Sequence, residues 1–328
     1  MTYIVTGACG YVGYAVVKEL LSRGKTVRCL ALENENISRL KKLGADIYFG
    51  DITKPDTLEN IFDVDGELAV IHAAGMVSVE TRISSALYAV NVEGTRSVLG
   101  MCKKKCAKLV YIGSVDAVPP VNGRICKAYY DPQAVRGAYA KTKAEAALDV
   151  IKSVNEGLDA CILLPCAVFG PYDFKGGMVS SLVKIYLKKH TFPLISGGYE
   201  FADVRDIAFA AVNAVHNGKR GESYILSNRF FELKEIVNRM RDLKGLKRIR
   251  ITVPNSLAKL AGAVVELFCS VFKKRPLFTA YTITCVNTHV EYSCEAAKRD
   301  LAYSPRPFDE TLRDTVAFLD EQNFKEQK

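Results

Sequence analysis

Residues 3–13 read Tyr3-Ile4-Val5-Thr6-Gly7-Ala8-Cys9-Gly10-Tyr11-Val12-Gly13. An apolar strand therefore runs directly into a turn with three glycines, and a helix starts after it. The first glycine lets the chain reverse tightly, the second lets the backbone approach a pyrophosphate, and the third lets the helix pack closely on the strand. The helix N-terminus then presents free N–H groups and a positive dipole to the anion. The stretch predicts a dinucleotide site formed by Gly7, Gly10, Tyr11, Val12 and Gly13.

The first half of the chain continues to alternate short β-branched runs with amphipathic segments of helix length. This alternation is typical of βαβ units and a parallel sheet. The predicted strands are Tyr3–Thr6, Thr26–Leu32, Asp46–Phe49, Ala69–His72, Leu109–Ile112 and Ala160–Leu164. The predicted helices are Tyr11–Ser22, Glu35–Lys42, Pro55–Ile61, Ser84–Lys105 and Ala138–Asn155. We therefore predict an α/β protein with a Rossmann-type doubly wound parallel sheet.

The sequence pattern changes after Pro165, where longer helical segments dominate and strands become sparse. Glycine pairs at 176–177 and 197–198 interrupt this part of the chain. We predict a Rossmann domain over residues 1–165, with return segments around 204–228. Residues 166–328 are then mainly a smaller, mostly helical substrate-binding domain.

Composition excludes several classes of protein. Of the 328 residues, 49% are hydrophobic and 25% are charged, which is typical of a folded globular protein. The net charge of +9 is modest and its lysines and arginines are spread out, so nucleic-acid binding is disfavoured. The ten cysteines show no CxxC spacing, which disfavours a disulfide scaffold and a metal site. Because the N-terminus has no secretory pattern, we expect a cytoplasmic protein.

The strongest chemical pattern is the pair Tyr139 and Lys143, which follows Ser114 in the chain. A spacing of four residues places the pair on one face of a helix. There the ammonium lowers the pKa of the phenol, and the phenol exchanges a proton with a substrate oxygen while hydride moves to or from a nicotinamide. Ser114 comes just after the fifth predicted strand, where its hydroxyl can hold the same oxygen. On an arbitrary helix such a pair is usually a solvated face, but downstream of the glycine turn it predicts a catalytic site.

Two acidic residues are candidates for the nucleoside end of the site. Glu33 follows the second predicted strand, where an acid binds the ribose hydroxyl of NAD and an arginine binds the 2′-phosphate of NADP. Glu33 is equally consistent with a cap of the next helix. Asp51 follows the third strand and fits either a contact with the adenine amino group or a turn cap. Because no arginine lies between Glu33 and Arg39, the sequence slightly favours NAD over NADP.

Together these motifs resemble the extended short-chain dehydrogenase/reductase superfamily over nearly the whole chain. The matching segments are the glycine turn, residues 50–53, 70–75, 91–95 and 164–171, and the Tyr139/Lys143 pair. The resemblance implies that Tyr139 is the acid/base, that Lys143 binds the nicotinamide ribose and tunes Tyr139, and that Ser114 polarises the substrate oxygen. The further contacts that it implies with the cofactor come from Ile52, Ala73, Ala74, Gly75, Asn91, Pro165 and Val168.

The chain departs from the family pattern at the serine and at the second strand. The family usually has two adjacent hydroxyl residues where this chain has Gly113-Ser114-Val115. Ala31 replaces the aspartate of NAD-dependent members, and Leu32 stands where NADP-dependent reductases have an arginine. The resemblance therefore implies a cofactor of the NAD or NADP type without choosing between them.

Residues 254–260 and 292–305 resemble the 3β-hydroxysteroid dehydrogenase and dihydroflavonol-4-reductase branch. This branch implies an oxidoreductase that interconverts a secondary alcohol and a ketone on a bulky apolar ring substrate, steroid-like or flavonoid-like. The alternative is a sugar-nucleotide 4-epimerase, in which Lys175, Lys184 and Arg205 would hold a diphosphate. A dehydratase is disfavoured, because Ser114 is not followed by the aspartate-glutamate pair of those enzymes. A non-catalytic cofactor-sensing protein is the third interpretation, disfavoured by the Tyr/Lys pair.

The segment 257–272 is a predicted apolar helix with basic residues at both ends. It is too short to span a bilayer and contains Glu266. Packing on the substrate-binding domain is favoured over weak contact with a membrane surface. The sequence leaves open whether the protein is a monomer or a homodimer.

Overall fold

The computed structural model describes residues 1–121, 123–189, 191, 193–254, 257 and 290–326. The strands, in chain order, are β1 Thr2–Thr6, β2 Thr26–Ala31, β3 Asp46–Phe49, β4 Leu68–His72, β5 Lys108–Ile112, β6 Arg124–Ile125, β7 Ala160–Pro165, β8 Ala167–Phe169, β9 Leu194–Ile195, β10 Gly198–Asp203, β11 Ser223–Leu226, β12 Phe230–Glu232, β13 Thr252–Val253 and β14 Glu291–Tyr292. The α-helices are α1 Tyr11–Ser22, α2 Ser38–Lys42, α3 Glu59–Phe62, α4 Ser85–Tyr88, α5 Gly94–Lys104, α6 Ala138–Asn155, α7 Met178–Tyr186, α8 Val204–Asn217, α9 Leu233–Leu243, α10 Glu295–Leu301 and α11 Phe308–Glu326. Short 3-10 turns cover Pro55–Leu58 and Val115–Ala117, and a π-helical turn covers Ala89–Glu93.

A parallel sheet of seven strands forms the centre of the fold, in the order β11-β7-β5-β4-β1-β2-β3. It contains all six predicted strands, and the predicted α/β, Rossmann-type class is confirmed. The seventh strand, β11, lies in the predicted return segment, as does α8, which packs on α1. From β1, the strands that follow in the chain are added first on one side, as β2 and β3, and then on the other side, as β4, β5 and β7. The point between β1 and β4 where the order changes is a topological switch point, which opens a crevice at the carboxyl ends of the strands.

Both faces of this sheet are covered by helices, which explains why its strands are almost continuously apolar. Neighbouring strand residues point to opposite faces. Val5, Ile71 and Val110 therefore belong to the core cluster with α1 and α8. Ile4 and Leu109 belong to the cluster on the other face, with α5 and α6.

Three predicted helices differ from those observed. The segment predicted as a helix from Pro55 to Ile61 is the 3-10 turn Pro55–Leu58 followed by α3. The segment predicted as one helix from Ser84 to Lys105 is α4, the π-helical turn and α5 in succession. The π turn contains Asn91, whose side chain is buried and makes several hydrogen bonds. The helix predicted to start at Glu35 starts at Ser38, because the Asn36 side chain accepts a hydrogen bond from the Ser38 N–H.

The C-terminal part of the described chain has its own apolar cluster and three small sheets. Strands β12, β10 and β8 form one sheet, β13 pairs with β9, and β14 pairs with β6. Phe169, Phe201, Phe231 and Phe308 contact one another ring to ring in the cluster. The division at residue 165 into two domains stays a prediction.

Within the part of the chain that the structure describes, none of the helices combines the length and apolar character that a membrane crossing requires. The predicted helix 257–272 lies outside the described residues, apart from Leu257. Its contact with a membrane surface or with the substrate domain therefore stays a prediction.

Gly13, the third glycine of the turn, has no room for a side chain. A Cβ atom on Gly13 would lie 2.1 Å from the Gly7 carbonyl oxygen, so alanine cannot fit without moving the turn. We expect Gly13→Ala to lower the free energy of unfolding by roughly 3 kcal/mol, measured by urea denaturation. The matched control is Gly100→Ala in the middle of α5, where a Cβ meets nothing within 4 Å. That change should stabilise the protein by about 0.5–1 kcal/mol. Equal effects of the two substitutions would contradict this account.

Candidate active site

The glycine turn and the loop after β4 meet at the crevice between β1 and β4. Gly7 has φ +66°, and a Cβ there would lie 2.6 Å from the backbone nitrogen of Ala74. The turn is closed by the Gly10 N–H, which donates to the Gly7 carbonyl oxygen at 2.8 Å. Among the described residues, no side chain caps the start of α1, so its first N–H groups face the crevice uncapped. These features make a cradle in which backbone atoms can approach an anion.

A buried histidine joins this turn to the next helix. Thr6 Oγ1 lies 2.6 Å from His72 Nδ1, and His72 Nε2 lies 3.1 Å from Thr95 Oγ1. The Thr95 hydroxyl donates its proton to the Asn91 carbonyl oxygen at 2.7 Å. His72 Nε2 must therefore carry the proton and Nδ1 must accept one from Thr6. Burial, and secondarily the charge of Lys143, lower the pKa of His72 to about 3, so His72 is neutral and structural.

Asn91, a predicted cofactor contact, uses its amide to position two segments. Its Oδ1 accepts from the Met76 N–H at 2.7 Å, and its Nδ2 donates to the Met76 carbonyl oxygen and to Thr142 Oγ1 at 2.9 and 3.0 Å. Thr142 in turn donates to the Tyr139 carbonyl oxygen at 2.9 Å. Asn91 thus fixes the loop after β4 relative to α6, the helix that carries Tyr139 and Lys143.

Lys143 lies buried between α6 and the end of β5. Its ammonium donates to the Tyr111 hydroxyl at 3.2 Å and to the Ile112 carbonyl oxygen at 2.9 Å. It also lies 4.7 Å from the centre of the Tyr111 ring, a cation–π contact. Burial lowers the pKa of Lys143 to about 8. An ammonium has three N–H groups, so one remains for a ribose hydroxyl, on the side where a Cβ on Gly75 would approach the nitrogen to 3.4 Å.

Ser114 and Tyr139 lie together at the carboxyl edge of the sheet. The Ser114 hydroxyl accepts from the Asp116 N–H at 3.2 Å. Burial raises the pKa of Tyr139, the charge of Asp116 raises it further, and interaction with the Ser114 hydroxyl lowers it. The phenol is therefore protonated at neutral pH. The tuning of Tyr139 by Lys143 stays a prediction.

Sequence reasoning missed Tyr111 as the partner of Lys143. Tyr111 is fully buried at the end of β5, on the strand face that packs against α5 and α6. The available signal was a hydroxyl-bearing aromatic in a strand that is otherwise apolar apart from its first lysine, three residues before Ser114. The signal was weak, because only the packing of α6 on β5 brings Tyr111 to Lys143.

The structure places the two acids at the nucleoside end differently. Glu33 is exposed, whereas Glu35 lies beside the glycine turn. The Glu35 carboxylate accepts from the Leu32 N–H at 3.2 Å and from Lys175 Nζ at 2.7 Å. Burial and the charge of Glu35 raise the pKa of Cys9, in the turn itself, to about 11. Glu35 is thus the functional candidate that sequence reasoning missed, where it was taken only as the start of a helix.

The other predicted cofactor contacts occupy varied positions around the crevice. Asp51 accepts from the N–H and hydroxyl of Thr53 at 2.9 and 2.8 Å, which is the turn cap considered as its alternative role. Ile52 is buried, and a Cβ on Gly94 would meet its side chain at 2.6 Å. The Tyr11 hydroxyl donates to the Gly170 carbonyl oxygen at 2.7 Å, so it docks α1 on the segment after β8.

Four more of these residues frame the crevice. Ala73 and Ala74 are partly buried, the Ala73 N–H donates to the Thr6 carbonyl oxygen at 3.2 Å, and Pro165 ends strand β7. Val168 packs partly buried against the core cluster of α1 and α8. The contacts of these residues with a cofactor stay predictions.

The residues present fit a nicotinamide dinucleotide. In the glycine cradle, neighbouring backbone atoms lie too close to Gly7 and Gly13 for either to carry a side chain. The cradle leaves backbone N–H groups accessible, as a pyrophosphate requires. Glu35 lies at one end of the crevice, and Lys143 with Tyr139 lies at the other. Lys143 would hold the nicotinamide ribose, and the cofactor would supply or accept hydride next to Tyr139 and Ser114.

Comparison with known proteins gives the same picture. Residues 3–227 match the model of the "NAD dependent epimerase/dehydratase family". The chain is 26% identical over 329 residues to sterol demethylase protein B of Methylococcus capsulatus, covering 98% of this chain and 99% of that protein. It is 25% identical over 343 residues to sterol-4-alpha-carboxylate 3-dehydrogenase erg26, decarboxylating, of Schizosaccharomyces pombe, with 98% of each chain covered. The crystal structure of gox2253 is similar at a TM-score of 0.83 and 26% identity, with 98% of each chain covered.

The buried charge of Lys143 predicts a pH-dependent effect on stability. The folded pKa of about 8 lies below the ordinary lysine pKa of 10.5, so the contribution of this group to stability is most favourable above pH 10.5 and is lost as the pH falls through 8. Lys143→Met removes that cost. We expect the change in unfolding free energy on substitution to be about 2 kcal/mol more favourable at pH 7 than at pH 10.

Chemical denaturation of the cofactor-free protein at both pH values measures this difference. The control is Lys141→Met, at a partly exposed position of the same helix. The pH dependence of Lys143→Met is measured relative to this variant. A pH-independent effect of Lys143→Met would show that the ammonium is well solvated in the folded protein.

Proposed function

The chain belongs to the NAD-dependent epimerase/dehydratase family, and on this premise we propose that it is an oxidoreductase acting on a bulky, apolar ring compound. It interconverts a secondary alcohol and a ketone by hydride transfer with a nicotinamide cofactor. The observation that carries this proposal is the convergence of Ser114, Tyr139 and Lys143 beside the glycine cradle.

Each residue of this set has a defined task. In the direction of ketone reduction, the Ser114 hydroxyl donates a hydrogen bond to the substrate carbonyl oxygen and the Tyr139 phenol delivers the proton. Lys143 holds the ribose and supplies positive charge near the phenol. Because burial and Asp116 keep the pKa of Tyr139 high, the resting site holds the proton that reduction requires. Alcohol oxidation requires the phenolate, and it therefore gains from higher pH.

The substrate class is supported by exposed apolar side chains on two loops at the carboxyl edge of the sheet. Two loops leave the carboxyl ends of β4 and β5, and they carry a group of exposed large apolar side chains: Met76, Val77, Ile83, Val121 and Tyr129. Covering such side chains with an apolar ligand contributes about 25 cal/mol per Å² of buried surface. The names of the two relatives, which refer to sterols, support the same class of compound.

The alternative, a sugar-nucleotide 4-epimerase, needs cations free to pair with a diphosphate. Lys175 is paired with Glu35, and Arg205 is paired with Asp203 and Asp314. Lys184 lies in α7, away from the glycine cradle, beside a surface cavity that is also lined by Lys188 and Lys244. These three residues therefore give the alternative little support. A non-catalytic cofactor-sensing protein is disfavoured by the complete Ser/Tyr/Lys set.

The proposed oxidoreductase function is tested by removing the phenolic oxygen of Tyr139. We expect Tyr139→Phe to lower kcat at least about 100-fold for reduction of steroid or polyphenol ketones, because general acid catalysis contributes on the order of 100- to 10,000-fold. Binding of the reduced cofactor, followed by its fluorescence, should persist. The control is Tyr88→Phe, where the hydroxyl donates to Glu145 of α6 and accepts from Arg96 of α5, away from the crevice.

Near-normal turnover by the Tyr139→Phe variant would refute the mechanism. Turnover of uridine or thymidine diphosphate sugars by the unmodified protein, with none of the apolar ketones accepted, would establish the epimerase instead.

We further propose that NAD is preferred over NADP, and that Glu35 rather than Glu33 sets this preference. The Glu35 carboxylate beside the glycine turn would repel a 2′-phosphate, although Lys175 offsets part of its charge. We expect Glu35→Gln to bring the dissociation constants of NADH and NADPH closer by at least about threefold. Glu33→Gln, at the exposed position, is the control and should leave their ratio unchanged. A preference for NADPH in the unmodified protein would overturn the assignment.

A further inference from the structure

Tyr111 is a fully buried tyrosine near the carboxyl end of β5. Its ring belongs to the apolar cluster on the α5 and α6 side of the sheet. Phenylalanine would fill the same apolar space without a polar group, and a buried hydroxyl without a partner is unfavourable. The Tyr111 hydroxyl has a partner in Lys143 of α6, so the oxygen atom belongs to the candidate site rather than to the core.

The Tyr111 side chain contacts the Lys143 ammonium in two ways. The hydroxyl oxygen accepts an N–H from Nζ at 3.2 Å. The centre of the ring lies 4.7 Å from the same nitrogen, so the negative face of the ring is close to the cation. Both contacts are stronger with a charged ammonium than with a neutral amine, and they therefore stabilise the charged form of Lys143.

These contacts take the place of a counterion. Within the described part of the chain, none of the ion pairs includes Lys143. Burial raises the pKa of Tyr111 well above its ordinary value, so the phenol is neutral and acts as a hydrogen-bond acceptor. A buried ammonium without a carboxylate depends on such neutral acceptors. Removal of one of them therefore disfavours the charge on Lys143.

The same contacts fix the direction in which the ammonium points. Its three N–H groups have fixed tetrahedral directions. The Tyr111 hydroxyl and the Ile112 carbonyl oxygen accept two of them, at 3.2 and 2.9 Å, so the third cannot turn freely. Gly75 has no side chain to approach this nitrogen, to which a Cβ would come within 3.4 Å. The third N–H is therefore held ready for a ribose hydroxyl.

We propose that Tyr111 is a positioning residue, which orients the Lys143 ammonium toward the nicotinamide ribose and keeps it charged. Tyr111 acts through Lys143 and contacts neither the cofactor nor the substrate. This inference rests on the proposed oxidoreductase function, in which Lys143 holds the ribose.

The first test removes the Tyr111 hydroxyl and keeps the ring. We expect Tyr111→Phe to raise the dissociation constant of NADH at pH 7 roughly fivefold, because one N–H of a buried ammonium loses its acceptor. In a Lys143→Met background the same substitution should change that constant by less than about 1.5-fold, since residues that act through one another are not additive. Fluorescence of bound NADH measures all four proteins without turnover, and melting temperatures verify that each is folded.

The second readout is the pH dependence of NADH binding between pH 6 and pH 10. The titratable groups that pack around Lys143 in the described structure are His72 of β4, Tyr111 of β5 and Tyr139 of α6. The pKa of His72 is about 3, and burial raises the pKa of both tyrosines, so these groups keep their protonation states. Binding should weaken as the pH rises through about 8, the pKa of Lys143.

Tyr111→Phe should move this midpoint about one pH unit lower, because the charged form of Lys143 loses an acceptor. The matched control is Tyr224→Phe on β11. Tyr224 is equally buried in the same sheet, and its hydroxyl accepts from the Lys219 N–H at 3.0 Å, outside the candidate site. This control should leave both the dissociation constant and the midpoint unchanged, even where it lowers the melting temperature.

The outcomes distinguish this inference from the proposed function. An unchanged dissociation constant and midpoint in Tyr111→Phe, with weaker binding in Lys143→Met, would refute the role of Tyr111 and leave the oxidoreductase function intact. Equal effects of Tyr111→Phe in the two backgrounds would indicate a merely structural role and refute the inference as well. If Lys143→Met bound NADH as tightly as the unmodified protein, the ribose contact of the proposed function would fail, and the role of Tyr111 with it.

Discussion

A chain of buried hydrogen bonds connects the glycine turn to the helix of the reactive side chains, and the site depends on it. The chain runs through Thr6, His72, Thr95, Asn91, Thr142 and the carbonyl oxygen of Tyr139. Each hydroxyl has one proton, so the direction of every bond is fixed, and so is the tautomer of His72. A buried polar group that loses its partner costs roughly 1–3 kcal/mol. The two ends of the crevice are therefore held in one relative position before any ligand binds.

The π-helical turn is best understood as part of this chain of hydrogen bonds. Residues 84–105 have the amphipathic pattern of one regular helix, yet the structure inserts a wider turn around Asn91. Such turns are uncommon and occur often at functional sites. Here the wider turn accompanies the three side-chain hydrogen bonds by which Asn91 joins the loop after β4 to α6. The irregular turn between α4 and α5 thus lies where Asn91 fixes the loop after β4 against α6.

Burial acts in the same sense on the two ionisable residues of the candidate site, Lys143 and Tyr139. Burial lowers the pKa of Lys143 and raises the pKa of Tyr139, so desolvation opposes charge on both residues. Asp116 adds to the shift at Tyr139. The protein alone thus favours a protonated phenol, and the positive charge of an oxidised nicotinamide would act against that tendency.

By itself, the sequence determined the α/β class, six strands of the sheet and the candidates Ser114, Tyr139 and Lys143. These features follow from local periodicity and short motifs, which are written in consecutive residues. Only the tertiary structure decided that Glu35 rather than Glu33 lies at the glycine turn, and that Tyr111 binds Lys143. Both positions depend on the direction in which a side chain projects from a turn. They also depend on contacts between segments more than 25 residues apart in the chain. Spacing along the sequence does not contain that information, because it arises when strands and helices pack.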